Sequence, residues 1–413
     1  MDSRRNFLGK VATGLAGTLA GVPRVVGAND RIRVGIVGAG DRGLELVNQI
    51  RACPNTEIAA FADVYTKRLE KAAGQTSAMS PGAKMYNDAR RLLDDRTVDA
   101  VVIATPPHLH AAQFCAALEA GKHVYQEKTL ALTIVDAKRM RKAWREDGGH
   151  HAVQIGHQAC SHGQMADVRQ FLRDPSRIGQ ITALVMRSFR NTPPSKPQWA
   201  RPALLTSDVN ARNVDWNAFL GETSLGQAPQ RGFDAHRLIH WRYFWDYSGG
   251  GVTENMSQQL AFWYRALDLQ IPDTASMTGG VYLWNDARET PDTMQVSFEQ
   301  PERMLVSWSA GFGNNHPGIG EDLLGSAGTI SRASEVRYAP QKTCTSAHGE
   351  MLGRAANSPH AHMQNFFDAI RLNREPNCPL DLGFRVAVAC RMAVESYRQG
   401  RIVRWDPTLE EIA

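Results

Sequence analysis

Apolar residues follow two different periods in the first third of the chain. Residues 32–37, 57–63 and 98–105 form short apolar runs rich in β-branched side chains, which predict strands. Between the first two runs, Leu44, Val47 and Ile50 recur at helical spacing, and a second helix is predicted over 66–73, followed by a loop over 74–82. Strands that alternate with helices predict a parallel sheet with right-handed crossovers, an α/β domain of the Rossmann type.

The second half of the chain has a different pattern. Alternating or apolar runs separated by turn residues predict strands at 181–189, 276–284, 294–300 and 304–312. Two amphipathic stretches at 365–373 and 382–399 predict closing helices, which we expect to pack back on the first domain. Residues 191–230 are rich in proline, asparagine and polar side chains, so we expect an irregular segment there.

A glycine turn follows the first predicted strand. The run RIRVGIVGAGDRG, residues 31–43, has the spacing G-x-G-x-x-G and opens a helix. Gly38 would allow the tight turn, Gly40 would let the backbone approach a pyrophosphate, and Gly43 would let helix and strand pack closely. An isolated match of this kind can also mark a tight turn alone. We interpret the turn as a phosphate site that includes Asp41 and Arg42.

Asp63 ends the second predicted strand, about twenty residues after the glycine turn, where a ribose-binding acid is expected. Such an acid favours NAD over NADP, because a carboxylate repels a 2′-phosphate. The neighbouring Lys67 and Arg68 keep NADP open as an alternative. Asp63 could otherwise be a simple strand-end residue.

Polar side chains follow the next two predicted strands. Thr105, His108 and His110 come after residues 98–104, and Glu127 and Lys128 end the run KHVYQEKT at 122–129. Because the carboxyl ends of parallel strands point toward the ligand crevice, we expect these side chains near the nicotinamide end of a dinucleotide. For His108 and His110, holding the cofactor and the strand end is the favoured role over chemistry.

The N-terminal segment predicts export. SRRNFLGK at residues 3–10, an apolar stretch and a small-residue site at 26–28 are typical of a twin-arginine signal, so residues 1–28 are set apart from the fold. These residues hold four basic side chains and one acid, so they supply +3 of the formal charge of +5, and the rest of the chain has a charge of +2. That balance removes the compositional argument for nucleic-acid binding. We expect a periplasmic or secreted protein that carries a cofactor bound before export.

The length of the chain and its cysteines limit the number of domains and the kinds of site that it can contain. At 413 residues the chain is long for one domain, and no later apolar run approaches a membrane span. The six cysteines have no metal-binding spacing, so we predict no metal site. Most should be buried fillers, although a Cys344–Cys378 disulfide stays open.

Several of these motifs, in this order and spacing, resemble the glucose–fructose oxidoreductase/inositol dehydrogenase family (Gfo/Idh/MocA). They are GIVGAGDRG, ATPPHLH, HVYQEKT, the linker strand at 151–158, VDWNAFLG, WRYFWDYSGGG and a closing helix pair from residue 362. The resemblance implies a nucleotide-binding domain over 29–156 and a substrate and oligomerisation domain over 157–413. The second domain would be built on an open, largely antiparallel sheet through which copies of the chain pair.

The same resemblance points to the catalytic groups. In relatives the lysine of the EK(P) motif binds the substrate hydroxyl, and Lys128 matches it, although Thr129 stands where proline is usual. A structural ion pair of Lys128 with Glu127 is the alternative. Relatives also have an acid followed four residues later by a catalytic histidine, and this chain has Glu254 and Gln258. A neutral amide cannot shuttle a proton, which weakens the expected mechanism.

Other groups could supply the missing base. His157 lies in the linker strand, where relatives approach the active site, and His236, His240 and Tyr243 precede the glycine block at 249–251. A hydrogen-bonded structural role is the commoner outcome for such residues.

Tryptophans and polar residues of the second domain suit a carbohydrate. We expect one or two of five tryptophans to line the cleft and core packing to account for the rest: Trp199, Trp216, Trp241, Trp245 and Trp284. Arg242, Asp246, Asn255 and Gln259 would add hydroxyl-binding groups, so a polyol or glycoside fits better than a charged metabolite.

Three functions follow. The favoured one is an exported NAD(P)-dependent oxidoreductase acting on a sugar or polyol hydroxyl, with the nucleotide held and recycled. An NAD-dependent glycoside hydrolase that oxidises its substrate transiently is the first alternative. A catalytically silent sugar-binding protein is the second.

Overall fold

A six-stranded parallel sheet forms the first layer of the fold. The computed structural model describes residues 31–77, 80–193, 195–223, 226–227, 231–342, 348–354, 358 and 360–413; the proposed signal and Cys344 lie outside these ranges. The strands are β1 Ile32–Val37, β2 Thr56–Ala62, β3 Lys84–Tyr86, β4 Ala100–Ile103, β5 His123–Gln126 and β6 Val153–Ile155. Their order is β3-β2-β1-β4-β5-β6 and all neighbours run parallel. The Rossmann-type prediction is confirmed.

Helices connect these strands as right-handed crossovers require. They are α1 Asp41–Arg51, α2 Thr66–Thr76, α3 Ala89–Leu93, α4 His110–Glu119 and α5 Ile134–Glu146. The loop predicted from residue 74 was wrong at its start, because α2 continues through Gly74 to Thr76. Leu69, Ala72 and Thr76 extend one buried face, and this packing outweighs the low helix propensity of glycine.

The second part of the chain forms a ten-stranded, mostly antiparallel sheet. Before it come α6 Gly163–Phe171 and α7 Pro175–Ile178. Its strands are β7 Ile181–Phe189, β10 Thr274–Gly280, β11 Thr293–Gln300, β12 Met304–Gly311, β13 Ile319–Gly325, β14 Gly328–Arg332, β15 Glu335–Pro340, β16 Glu350–Arg354, β17 Val403–Asp406 and β18 Glu411–Ile412. The β7–β12 pair alone is parallel among the neighbours of the described sheet. This confirms the predicted open, largely antiparallel sheet.

Between β7 and β10, the described residues of the range 191–230 are mostly irregular, as predicted. The regular pieces are α8 Trp216–Leu220, the short pair β8 Glu222–Thr223 and β9 Gly226–Gln227, α9 Ala235–Ile239, a π-helical turn at Val252–Met256 and α10 Ser257–Leu267. The last helices are α11 Ala361–Leu372 and α12 Leu380–Gln399. Within the described residues, no helix combines the length and apolar character that a bilayer crossing needs.

Two clusters of buried side chains join the parts. Met363, Phe366 and Phe367 of α11 pack into the core of β1, β2 and α1. Helices α10 and α12 contribute to a larger cluster that extends from the other face of the first sheet to the inner face of the second. The closing helices therefore pack back on the nucleotide-binding part, as the sequence predicted. This packing fixes the carboxyl edge of the first sheet against the π-helical turn and α10.

Candidate active site

One cavity of about 440 Å³ follows the carboxyl edge of the first sheet. Its floor comes from the ends of β1, β2, β4 and β5, and its roof comes from residues 199–204, Trp241, Arg242 and the turn that carries Glu254. Ligand crevices of doubly wound sheets occupy this position. The cavity is therefore the candidate active site.

The glycine turn has the geometry of a phosphate cradle. Gly38 has φ of +97°, and a Cβ there would lie 2.9 Å from the Ala104 backbone. A Cβ on Gly43 would lie 2.0 Å from the carbonyl oxygen of Gly38. Gly40 precedes α1 without a side-chain cap, so the first amides of α1 have no capping acceptor. Gly40, Asp41 and Arg42 line the cavity, and this end fits a pyrophosphate.

Asp63 lies at the cavity wall with both carboxylate oxygens engaged. One oxygen accepts from the amide of Ala39 at 2.8 Å and the other from the amide of Tyr65 at 2.9 Å. A carboxylate has about four lone-pair directions, so acceptor capacity remains for two ribose hydroxyls. Arg68 also lines the cavity, with its guanidinium 3.8 Å from Asp63, whereas Lys67 pairs with Glu70.

Glu127 has a different ion-pair partner from the one the sequence suggested. Its Oε1 accepts from Nε and Nη2 of Arg42, at 2.9 and 2.7 Å. The predicted alternative of a Glu127–Lys128 side-chain pair is therefore wrong, because Arg42 reaches Glu127 from the first turn of α1. The pair ties the phosphate turn to the end of β5.

Lys128 points toward the second part of the chain. Its Nζ donates to Oε2 of Glu254 at 2.9 Å, and Nε of Arg242 donates to the same oxygen at 2.9 Å. Burial disfavours the charged carboxylate, but Lys128 and Arg242 outweigh burial and lower the pKa of Glu254 to about 2. All three side chains line the cavity, so Lys128 stands at its wall as predicted.

Gln258 lies one turn beyond Glu254 and also lines the cavity. Its Oε1 is buried beside the ring of His157 and makes no hydrogen bond of good geometry. Nδ2 of Asn255 is buried without a hydrogen-bond partner, which is costly for a polar atom, so this group points to a polar ligand in the cavity.

His157 is not at the cavity wall. It is fully buried, and neither ring nitrogen has a hydrogen-bond partner. Burial and the nearby charge of Lys128 lower the pKa of His157 to about 3, while the neighbouring Gln258 amide partly opposes this shift. An imidazole with so low a pKa is a weak base at neutral pH. The structure therefore does not support the predicted part for His157 in catalysis.

The predicted contacts of His108 and His110 with the cofactor also need correction. Neither lines the cavity. Nε2 of His108 lies 2.7 Å from the carbonyl oxygen of Phe219, and the ring nitrogens of His110 face the carbonyl oxygens of Thr105 and Thr129, each at 2.9 Å. Both rings are buried. His108 ties the segment after β4 to α8, and His110 ties it to the segment after β5, so neither ring faces the cofactor crevice. Thr105 itself is at the wall, where its hydroxyl donates to Gln113.

Two of the five tryptophans, Trp199 and Trp241, line the cavity, which matches the number predicted. The alternative bases do not line it: Nε2 of His240 accepts from the amide of Arg201, and the ring of His240 stacks on Tyr243. Likewise absent from the wall are these predicted residues: His236, Asp246 and Gln259.

The sequence predicted residues 191–230 to be irregular but did not predict that residues 198–215, here called the strap, cover the cavity. At one end, the carbonyl of Gln198 accepts from Arg288. At the other, the amide of Thr66 donates to the carbonyl of Asn213 at 3.0 Å. Arg201 of the strap lies 3.8 Å from Asp41. The strap has no period that a sequence pattern could reveal.

The fold and site together define a Rossmann-type nucleotide-binding protein with a second, sheet-based part across the cofactor crevice. Residues 32–157 match the family model "Oxidoreductase family, NAD-binding Rossmann fold", Gfo/Idh/MocA.

Curated relatives match part of the chain. Inositol 2-dehydrogenase of Salmonella paratyphi B is 33% identical over 126 residues, 30% of this chain and 36% of that protein. Inositol 2-dehydrogenase 2 of Saccharopolyspora erythraea is 30% identical over 207 residues, 48% of this chain and 58% of that protein. A glycosyl hydrolase family 109 protein of Streptomyces filamentosus is 30% identical over 157 residues, 36% of this chain and 30% of that protein. The matches thus span less than two thirds of these relatives.

A solved structure matches over nearly the whole length. Levoglucosan dehydrogenase in complex with NADH and levoglucosan has a TM-score of 0.68 at 17% identity, covering 91% of this chain and 99% of that one. At this identity the likeness supports the fold.

Proposed function

We propose that this protein is an NAD-dependent oxidoreductase acting on a hydroxyl group of a carbohydrate. The observation that carries the proposal is Lys128, held by Glu254 at the carboxyl end of β5 inside the cavity that the glycine turn opens. Relatives named as inositol dehydrogenases and a fold neighbour solved with NADH and a sugar derivative support the substrate class.

The residues present fit a dinucleotide. The amides of α1 at Gly40 to Arg42 would hold the pyrophosphate, and Asp63 would hold ribose hydroxyls. Asp63 favours NAD, and Arg68 keeps NADP as a second possibility. When bound, the nicotinamide supplies the hydride acceptor.

The chain's own residues would position the substrate hydroxyl. Lys128 would donate a hydrogen bond to the hydroxyl oxygen and stabilise the negative charge that develops there while the hydroxyl proton passes to solvent in the cavity. Glu254 stays ionised at neutral pH because its pKa is about 2, so it fixes Lys128 and is not itself a base. Gln258 would contact the substrate as a neutral polar group of the cavity wall.

The strap supports a nucleotide that stays bound between turnovers. Trp199, Arg201 and Leu204 cover the cavity, and hydrogen bonds anchor both strap ends. A retained nucleotide suits an exported protein, because free NAD is scarce outside the cytoplasm, and we propose periplasmic or secreted placement on the twin-arginine motif at residues 3–10.

A glycoside hydrolase that oxidises, eliminates, hydrates and reduces again is the second candidate. It needs no net redox change, so a nucleotide enclosed by the strap suits it equally. The relative named as a family 109 glycosyl hydrolase favours it, over a limited stretch.

The test uses the purified protein with its bound nucleotide, mixed with sugars, polyols and nitrophenyl glycosides. Lasting growth of NADH absorbance supports the oxidoreductase, aglycone release without net change supports the hydrolase, and neither outcome leaves a binding protein. Lys128→Met should lower turnover roughly 10²–10³-fold, the usual contribution of a donor that stabilises developing charge, and leave the nucleotide bound. Lys142→Met is the control, since its side chain is 76% exposed on α5. Undiminished turnover of Lys128→Met would remove Lys128 from the mechanism.

A further inference from the structure

Arg242 presents unused hydrogen-bond donors to the substrate end of the cavity. Its Nε is bonded to Glu254, while its two terminal amino groups make no hydrogen bond to any described residue. The guanidinium carbon lies 4.0 Å from the ring centroid of Trp241, and the side chain is 31% exposed. Stacking and the Nε bond hold the plane of the guanidinium fixed, so the free edge is preorganised for a planar partner.

The charge around Arg242 is not balanced. Lys128 and Arg242 share the single carboxylate of Glu254, which is ionised, and Gln258 is neutral. The other cations of the cavity wall pair with other carboxylates: Arg42 with Glu127 and Glu45, Arg68 with Asp63 and Arg201 with Asp41. The positive surplus is therefore local to the substrate end, where two cations share one carboxylate.

A second hydrogen-bond donor in the cavity wall also lacks an acceptor. Nδ2 of Asn255 is buried in the cavity wall without an acceptor. A guanidinium edge, an amide donor and one surplus positive charge are together the complement of a carboxylate. A phosphate monoester fits less well, because its charge of nearly −2 would exceed the surplus beside Glu254.

We propose that the substrate is a sugar acid, a uronic or aldonic acid, whose carboxylate binds the free edge of Arg242. The inference rests on the proposed oxidoreductase function and replaces the expectation of a neutral polyol or glycoside. Arg242 is then the residue that determines specificity, while Lys128 attends to the reacting hydroxyl.

Binding is measured by calorimetry on the nucleotide-loaded protein with three matched pairs: D-glucuronate and D-glucose, D-galacturonate and D-galactose, D-gluconate and D-glucitol. At least one acid should bind about tenfold or more tightly than its neutral partner, as expected of a charge-assisted hydrogen-bond pair. Arg242→Gln should reduce that ratio to about threefold or less. Arg242→Lys keeps the charge but loses the planar edge, so its ratio of acid to neutral affinity should lie between those of the natural protein and Arg242→Gln.

Arg398→Gln is the matched control, because Arg398 lies over Trp245, outside the cavity lining, and should keep the preference. Thermal melting of each variant checks folding. Four results would each overturn the proposal. Two concern the preference: equal affinity for the acids and their neutral partners, or a preference that survives Arg242→Gln. The other two are tighter binding of D-glucose 6-phosphate than of every acid, and no binding of any acid at millimolar concentration. If an acid binds with the expected preference but forms no NADH, the sugar-acid site stands and the oxidoreductase fails. If neutral sugars reduce the nucleotide and no acid binds more tightly than its neutral partner, the oxidoreductase stands and the sugar-acid site fails.

Discussion

At the residue scale, Glu254 is the group on which the substrate end of the cavity depends. Its side chain is 6% exposed and accepts from both Lys128 and Arg242. A buried carboxylate persists only where its partners compensate for lost hydration. Glu254 therefore positions the two cations that would touch the substrate.

Replacing Glu254 tests this role through pH. Because the pKa of Glu254 is lowered from 4.5 to about 2 on folding, the carboxylate stabilises the fold fully above pH 4.5 and loses this effect as the pH falls toward 2. Glu254→Gln should destabilise the protein at pH 7 by roughly 3 kcal/mol, since two cations lose their counter-charge. Its deficit relative to the natural protein should shrink between about pH 4.5 and 2.

Urea denaturation across this pH range measures both effects, with Glu119→Gln, an exposed residue of α4, as the control. A constant deficit at every pH would mean that packing, and not the charge, is what the substitution removed.

The residue scale also separates what a sequence can and cannot reveal. Asp63 and Lys128 follow strands whose pattern is plain, and the geometry of a parallel sheet brings strand ends to one crevice, so their places were predictable. The Arg42–Glu127 pair joins residues 85 positions apart and has no local pattern. His108 and His110 were misassigned because position after a strand does not say whether a ring turns to the ligand or to backbone carbonyls.

At the element scale, the strap is a part of the cavity roof whose position the sequence pattern did not predict. Strands and helices have periods of two and 3.6 residues, but the strap is ordered by single contacts with distant backbone. Thr66 is the first residue of α2, and its amide donates to Asn213 of the strap.

Thr66→Pro isolates this contact. Proline removes the amide donor yet suits the first position of a helix, and the extended backbone of Tyr65 suits the residue before a proline. Loss of one backbone hydrogen bond, net about 1 kcal/mol, should speed nucleotide release roughly fivefold. Thr66→Val is the control, since it removes the hydroxyl and keeps the amide. Stopped-flow fluorescence of the bound NADH measures release, and equal rates in the two variants would show that the strap does not retain the nucleotide.

At the scale of the whole molecule, the two sheets share a core that includes α10 and α12, and the cavity lies where they meet. The order of elements and both sheet types were predictable, because each part has its own hydrophobic period. The short strand β3 was not predicted, since three half-exposed residues carry too little pattern. Both parts of the chain contribute to the cavity, so the nucleotide binds as they fold together or afterwards. We propose that this binding happens in the cytoplasm, where NAD is available.

The proposed twin-arginine route would suit this order of events, because such a route accepts folded passengers with cofactors in place. Changing Arg4 and Arg5 together to lysine should leave the loaded protein in the cytoplasm, while Arg24→Lys, a basic residue of the same segment outside the pair, should not. Cell fractionation with nucleotide absorbance of the purified protein measures both location and loading. Protein that reaches the periplasm without the arginine pair, or arrives there without nucleotide, would separate export from cofactor assembly and contradict the proposed order of events.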